Sequence, residues 1–367
     1  MALAATLRRQ VHYTPIGIDI RDAAVYGVQF AKSDDQFALH AAARQPIETN
    51  PDTEGRAEAV TIAIRELLRG TRFAGRAAVT ALPSHKVDTR PVVLPTKVCD
   101  EGGPAFARAL LQEASSCLLY SPEDAVINYI RLGNSGDEEE KHSEVLLLAC
   151  RKESAFRHLS LMKEAGVRVR HLDSAACAAV RVLGKDKRTV VIVDLDERHC
   201  VISIGKGKDL QFSRTINFGV KDIIEEVSRN LEVDAAVAAS MLNHRPISHT
   251  AKEPIRHHQV ENTGLLSADC LSSGLFDSCR QALERIADEV RRSIDYFSGL
   301  RSSSRVETAI LAGAVVPKGL EPYLEERLRV PVARARAFNL CPETDLDTNE
   351  DESLFVRAAG LALRGEL

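Results

Sequence analysis

The stretch Pro15–Phe30, "PIGIDIRDAAVYGVQF", and its later echo Val190–Ile204, "VVIVDLDERHCVISI", decide how this chain is read. Each is an apolar run that ends in an aspartate, Asp19 or Asp194, then a polar turn, then a second run with β-branched residues. Runs of that composition on either side of a short polar turn predict antiparallel strand pairs. The second unit continues into "GKGKDLQFSRTINFG", a further turn and strand. A strand–turn–strand unit used twice argues for two similar α/β lobes, and 367 residues are enough for both.

Between the echoes, "VTALPSHKVDTRPVVLP" (Val79–Pro95) has strand composition around Pro83. A helix is expected from roughly Pro104 to Leu119, because Phe106, Leu110, Ala114 and Leu118 recur every four residues, and Pro122 stops it. "AVINYIRL" and "SEVLLLACR" read as strands flanking a solvated tip, "GNSGDEEEK". "ESAFRHLSLMKEAG" reads as a helix closed by Gly166, and "VRVRHLD" as a strand whose successor helix is capped at Ser174. Further on, Phe276, Cys279, Leu283, Ile286, Val290, Ile294 and Phe297 form the core stripe of a long helix. The acidic run "ETDLDTNEDE" reads as a solvated loop.

Bulk properties narrow the function. A net charge of -4 gives no basic footprint for nucleic acid. No apolar run approaches the length of a membrane span, and "MALAATLRRQVHYTP" lacks the apolar segment of a secretion signal. Eight scattered cysteines without a C-x-x-C pair suggest buried reduced thiols. His244, His249, His257 and His258 fall in a polar, proline-containing stretch without an i,i+4 pair, which fits no metal-ligand pattern.

The order of these parts resembles the actin-like ATPase superfamily of actin, sugar kinases, heat-shock chaperones and FtsA, and within it the PilM family of type IV pilus assembly proteins. The similar stretches cover most of the chain: "IGIDIRDAAVYGVQF", "ALPSHKVDTRPVVLP", "LLQEASSCLLYSPEDAVINYIRLG", "LLLACRKESAFRHLSLMKEAGVRVRHLDSAACAAVRVL", "IADEVRRSIDYF", "ILAGAVVPKGLEPYLEERLRVPV" and "AAGLALRG". The resemblance implies a two-lobed, ribonuclease H-like duplicated α/β fold with an inserted subdomain, 1C. The implied divisions are 1–78 (1A), 79–172 (1C and a return strand), 173–188 (a connecting helix), 189–233 (2A), 234–273 (2B) and 274–367 (the rest of the second lobe). It also implies ATP and Mg2+ between the lobes, held by backbone N–H groups of the two hairpins. Asp19 and Asp194 are then the metal-side carboxylates, with a turn role as the alternative. Asp173 is the position for orienting an attacking water, with helix capping beside Ser174 as the simpler role. Gly313 matches the turn against adenosine, Gly319 is the next glycine along that segment, and Lys221 after Gly219 is expected to be exposed.

The nucleotide loops depart from the family pattern. Asp-x-Gly becomes Asp19-Ile20-Arg21 in the first hairpin and Asp194-Leu195-Asp196, followed by Glu197, in the second; Ala314 replaces the second glycine after Gly313. Arg21 either swings outward or offers its guanidinium to a phosphate. A carboxylate about 4 Å from a phosphate charge is repelled by roughly 4 kcal/mol at an effective dielectric near 20, on the order of a thousandfold in affinity. The expectation is a weakened or lost nucleotide site and no enzymatic turnover. The expected role is a scaffold at the cytoplasmic face of the inner membrane, recruited by the N-terminal peptide of a PilN-like membrane protein held between 1A and 1C, with self-association open. The alternatives are an active actin-like ATPase and an FtsA-like polymerising division protein.

Overall fold

The computed structural model describes residues 11–33, 36–49, 53–135, 142–184, 187–248, 274–300, 304–313, 316–341 and 351–366. The tip loop at 136–141, His249, His257, His258, Ala314 and most of the acidic run lie outside the described residues.

The first lobe opens with the two-residue strand β1 (His12–Tyr13), then β2 (Ile16–Ile20), β3 (Ala24–Ser33) and β4 (Gln36–Pro46), helix α1 (Arg56–Gly70) and strand β5 (Ala77–Leu82). An inserted unit follows: β6 (Asp88–Pro95), α2 (Thr96–Glu101), α3 (Gly103–Cys117), β7 (Ala125–Ser135) and β8 (His142–Arg151). The chain returns through α4 (Lys152–Glu164), β9 (Arg168–Ser174) and α5 (Ala175–Leu183). The second lobe contains β10 (Thr189–Leu195), β11 (Cys200–Lys206), β12 (Asp209–Ile216), α6 (Val220–Leu231), α7 (Ala235–His244), α8 (Arg280–Leu300), β13 (Thr308–Gly313), α9 (Leu320–Leu328) and β14 (Val332–Arg334). The last described helix is α10 (Val356–Ala362).

The duplication read from the two echoes is borne out in the sheets. The first runs β4–β3–β2–β5–β9, with β1 beside the far end of β3; the second runs β12–β11–β10–β13–β14. In both, a central strand pairs antiparallel with its hairpin partner on one side and parallel with a crossover strand on the other. β6, β8 and β7 form a separate three-stranded sheet, with Phe106, Leu110 and Ala114 of α3 packed against it. Val79 lies outside that unit, since it pairs with Gly17 in the first lobe. The stripe on α8 is core, with Leu283, Ile286 and Val290 fully buried.

Between the lobes lie α5 and α10. Both are alanine-rich on their buried sides (Ala175, Ala176, Ala178 and Ala179; Ala358, Ala359 and Ala362), and small side chains let two backbones come close. One apolar cluster runs from Tyr26 and Phe30 of the first sheet through both helices to Ile192 of the second. Phe355, just before α10, packs edge-on against Tyr26 with ring centroids 5.6 Å apart. The two hairpin turns, β2–β3 and β10–β11, meet at one end of this layer.

Candidate functional site

The structure brings Asp19, Arg21, Asp194 and Asp196 together where the hairpins meet, and it adds a residue that the sequence reading missed. Arg21 does not point outward. It is buried, donates from Nε to Asp19 Oδ2 at 2.7 Å and from Nη2 to the Leu354 carbonyl at 3.0 Å, and lies over the Tyr26 ring. The missed residue is Arg357 of α10, 3 % exposed. It donates from Nε to Asp194 Oδ2 at 2.5 Å and from Nη1 to Asp196 Oδ2 at 3.1 Å. The one sequence signal for it was an arginine within the apolar run "SLFVRAAGLAL", since a buried guanidinium requires carboxylate partners.

The electrostatics follow from these contacts. Burial by itself would raise the Asp196 pKa, but Arg357 and Arg21 outweigh it and hold the carboxyl below its ordinary value. Burial likewise works against charge on Arg357, yet Asp194, Asp19 and Asp196 together keep that guanidinium protonated well above its usual range. Asp196 is therefore a paired charge within the protein. Glu197 is shifted upward by burial and by the neighbouring Asp196 and Asp22 carboxylates.

Three further contacts close the hairpin tips. Arg198 of the second turn donates to Asp22 of the first at 3.2 Å. His85 stacks on His199, with centroids 4.5 Å apart. Arg56 donates to the backbone carbonyls of Arg21 and Asp22, so that first-turn carbonyl oxygens are capped by a cation. Among the described residues, no group of three or more His, Cys, Asp or Glu side chains is arranged to hold a metal ion.

The remaining candidates sit elsewhere. Gly313 has φ +125° and pairs with Leu195; a Cβ there would lie 1.8 Å from the Leu195 carbonyl oxygen. Gly319, at φ +89°, precedes α9, and its Cβ would lie 2.2 Å from the Ile247 carbonyl oxygen. Both glycines are thus required by close backbone approach in the second lobe. Lys221 is exposed and pairs with Glu225 on its own helix, and His244 is exposed and bonded to the Ser240 carbonyl. Asp173 belongs to β9 and not to a helix start, and Ser174 makes no side-chain cap for α5. Asp173 Oδ1 accepts from the Ser174 N–H at 2.8 Å, and its two oxygens are held by Arg364 at 2.7 Å and Arg181 at 3.0 Å.

Asp173 marks one end of a second feature, a groove of about 710 Å³ between the first-lobe sheet and the inserted sheet. Strands β7 and β9 are the outer strands of their sheets and face it; among the described residues each pairs on one side only. Val126, Ile130, Leu148 and Leu172 give it apolar walls, and Val126 is 45 % exposed. Val126, Asn128 and Ile130 alternate along β7, so they share one face of the strand.

Two sheets of identical order, two helices sandwiched between them and two facing hairpins define a protein of the actin-like ATPase fold. Solved structures agree: the chain is similar to a PilM–PilN type IV pilus biogenesis complex (22% identity, TM-score 0.74, covering 96% of this chain and 98% of that one). It is also similar to the ethanolamine utilization protein EutJ from Carboxydothermus hydrogenoformans (14%, 0.53, 96% and 90%) and to MreB5 of Spiroplasma citri bound to ADP (12%, 0.50, 96% and 95%). The family described as type IV pilus assembly protein PilM matches residues 17–251, and this chain belongs to that family. No helix among the described residues is long and apolar enough to cross a membrane.

Proposed function

We propose that this chain is a scaffold of a type IV pilus or related secretion machine, and that it holds the cytoplasmic N-terminal segment of a PilN-like inner-membrane protein in the β7–β9 groove. The observation that carries this reading is the pair of outer strands facing one apolar groove. An extended peptide entering there completes a sheet edge with its backbone and seats alternate side chains against Val126, Ile130 and Leu172. The structural likeness to a PilM–PilN complex supports the choice of partner. Recruitment through such a peptide would bring the chain to the inner membrane, and nothing in this role calls for ATP hydrolysis.

Val126→Asp tests the groove, because it places a carboxylate on an exposed wall. The expected result is at least a tenfold loss of affinity for a synthetic peptide of the partner's N-terminal segment, about 1.4 kcal/mol or more, in fluorescence anisotropy. The melting temperature should stay unchanged, since the site is 45 % exposed. Undiminished binding would refute the placement. A point variant is needed because removing the whole block from Val79 to Asp173 would also strip β5 and β9 from the first sheet.

A further inference from the structure

We infer that Arg357, together with Arg21, is a built-in cation that latches the two lobes at the place where the family resemblance puts a hydrated Mg2+ ion. The inference stands apart from the peptide reading, since it concerns the hairpin tips and not the groove.

The residues present do not fit the metal. Mg2+ takes an octahedral shell of oxygen ligands and keeps several waters, so it needs carboxylate oxygens with room beside them. Here Asp19, Asp194 and Asp196 each already accept from a guanidinium, at 2.7, 2.5 and 3.1 Å. Both arginine side chains are under 5 % exposed, so neither is displaced by a simple outward rotation. Asp194 Oδ1 has no partner, but a single oxygen beside a buried guanidinium offers no six-coordinate site, and like charge repels a dication there.

The same contacts make a mechanical device. Asp19 and Arg21 belong to the first lobe, Asp194 and Asp196 to the second, and Arg357 to α10, which packs on both β2 and α5. Two guanidiniums against three carboxylates cut the charge of the cluster to a single net negative one without any ligand. Arg198 and Asp22 add a second tie across the tips. Where acidic hairpins of two lobes close on a divalent cation, that cation supplies the positive charge that lets their carboxylates approach. This chain carries that charge on its own helix, so its lobes stay closed whatever the nucleotide or metal supply.

The full-length protein tests the latch in two arms. In the first, thermal melts are recorded with EDTA, with Mg2+ and with Mg2+ plus ATP. The expected melting temperatures coincide, whereas ATP at about 100 times its Kd would raise the value by about 3 °C. In the second, Arg357→Met and Asp194→Asn are each expected to lower the melting temperature by about 5 °C, because each strands a buried charge. The double variant should lose clearly less than the sum, because it removes both charges together. If Arg357→Met does not fold, Arg357→Lys replaces it in the cycle. Stabilisation by Mg2+ with ATP, or strictly additive losses, would overturn the latch. Peptide affinity measured on the same samples bears only on the groove, so the two readings fail separately.

Discussion

Replacing Gly360 by valine is expected to destabilise the chain by about 3 kcal/mol or more, or to prevent folding. A Cβ at that position would lie 1.9 Å from the Ala178 carbonyl oxygen and 2.4 Å from its carbon. These are backbone atoms of the neighbouring helix α5, so no rotamer change relieves the overlap. The helices must separate, and α10 must also keep its contact with β2, where Gly17 meets the Ala358 carbonyl just as closely. Overpacking in a dense interior costs about 1–3 kcal/mol even where neighbours can give. Urea melts of Gly360→Val and of Gly299→Ala give the contrast. Gly299 sits in α8 with nothing within 4 Å of its Cβ, so alanine there should be neutral or stabilise by up to about 1 kcal/mol. A Gly360→Val protein as stable as the unsubstituted chain would show that the two helices do not pack backbone to backbone.

A pronounced loss of stability on mild acidification is the second large effect, and it comes from His158. This residue on α4 is buried and shares a 3.0 Å hydrogen bond with Thr80 Oγ1 of β5. Burial, aided by Lys86, pushes its pKa down to about 4. The folded state therefore keeps His158 neutral, while the unfolded chain takes up a proton near pH 6.5. Its contribution is fully present above pH 6.5 and falls as the pH drops from there toward 4, where the loss reaches on the order of 3 kcal/mol. Asp196 acts in a lower window: its pKa is depressed on folding, so the stability it contributes is lost only as the pH falls below the usual aspartate value. Urea melts at pH 7 and pH 4.5 check the histidine. His158→Gln, which keeps a polar partner for Thr80, should flatten the decline between those values. An equally steep decline in the variant would place the acid sensitivity elsewhere.

Much of the architecture was legible because it is local. The hairpins at Pro15–Phe30 and Val190–Ile204 announced themselves by apolar runs around short polar turns, and α3 and α8 by their buried stripes. These patterns arise from the periods of strand and helix, which adjacent residues set between themselves. The candidate site was legible only in part. Asp19, Arg21, Asp194 and Asp196 were found as departures from a pattern, but the direction in which Arg21 turns was not, because its partners are Asp19, two residues before it at the end of β2, and a carbonyl 333 residues away.

Arg357 shows the boundary most clearly. In the chain it is one charged residue in an apolar segment; in the fold it lies 2.5 Å from a carboxylate 163 positions earlier. Whether Asp196 repels or is neutralised depends on that contact, and a run of neighbouring residues carries no record of which distant charge will be buried beside it. Asp173 differs in the same way, since Arg181 is within reach of a local reading but Arg364 is not. Composition and periodicity settled the strands, the helices and their duplication, because backbone geometry repeats over a few residues. The pairing of buried charges and the meeting of two sheet edges at one groove were settled by packing, because low-dielectric contacts join whatever the folded chain brings together.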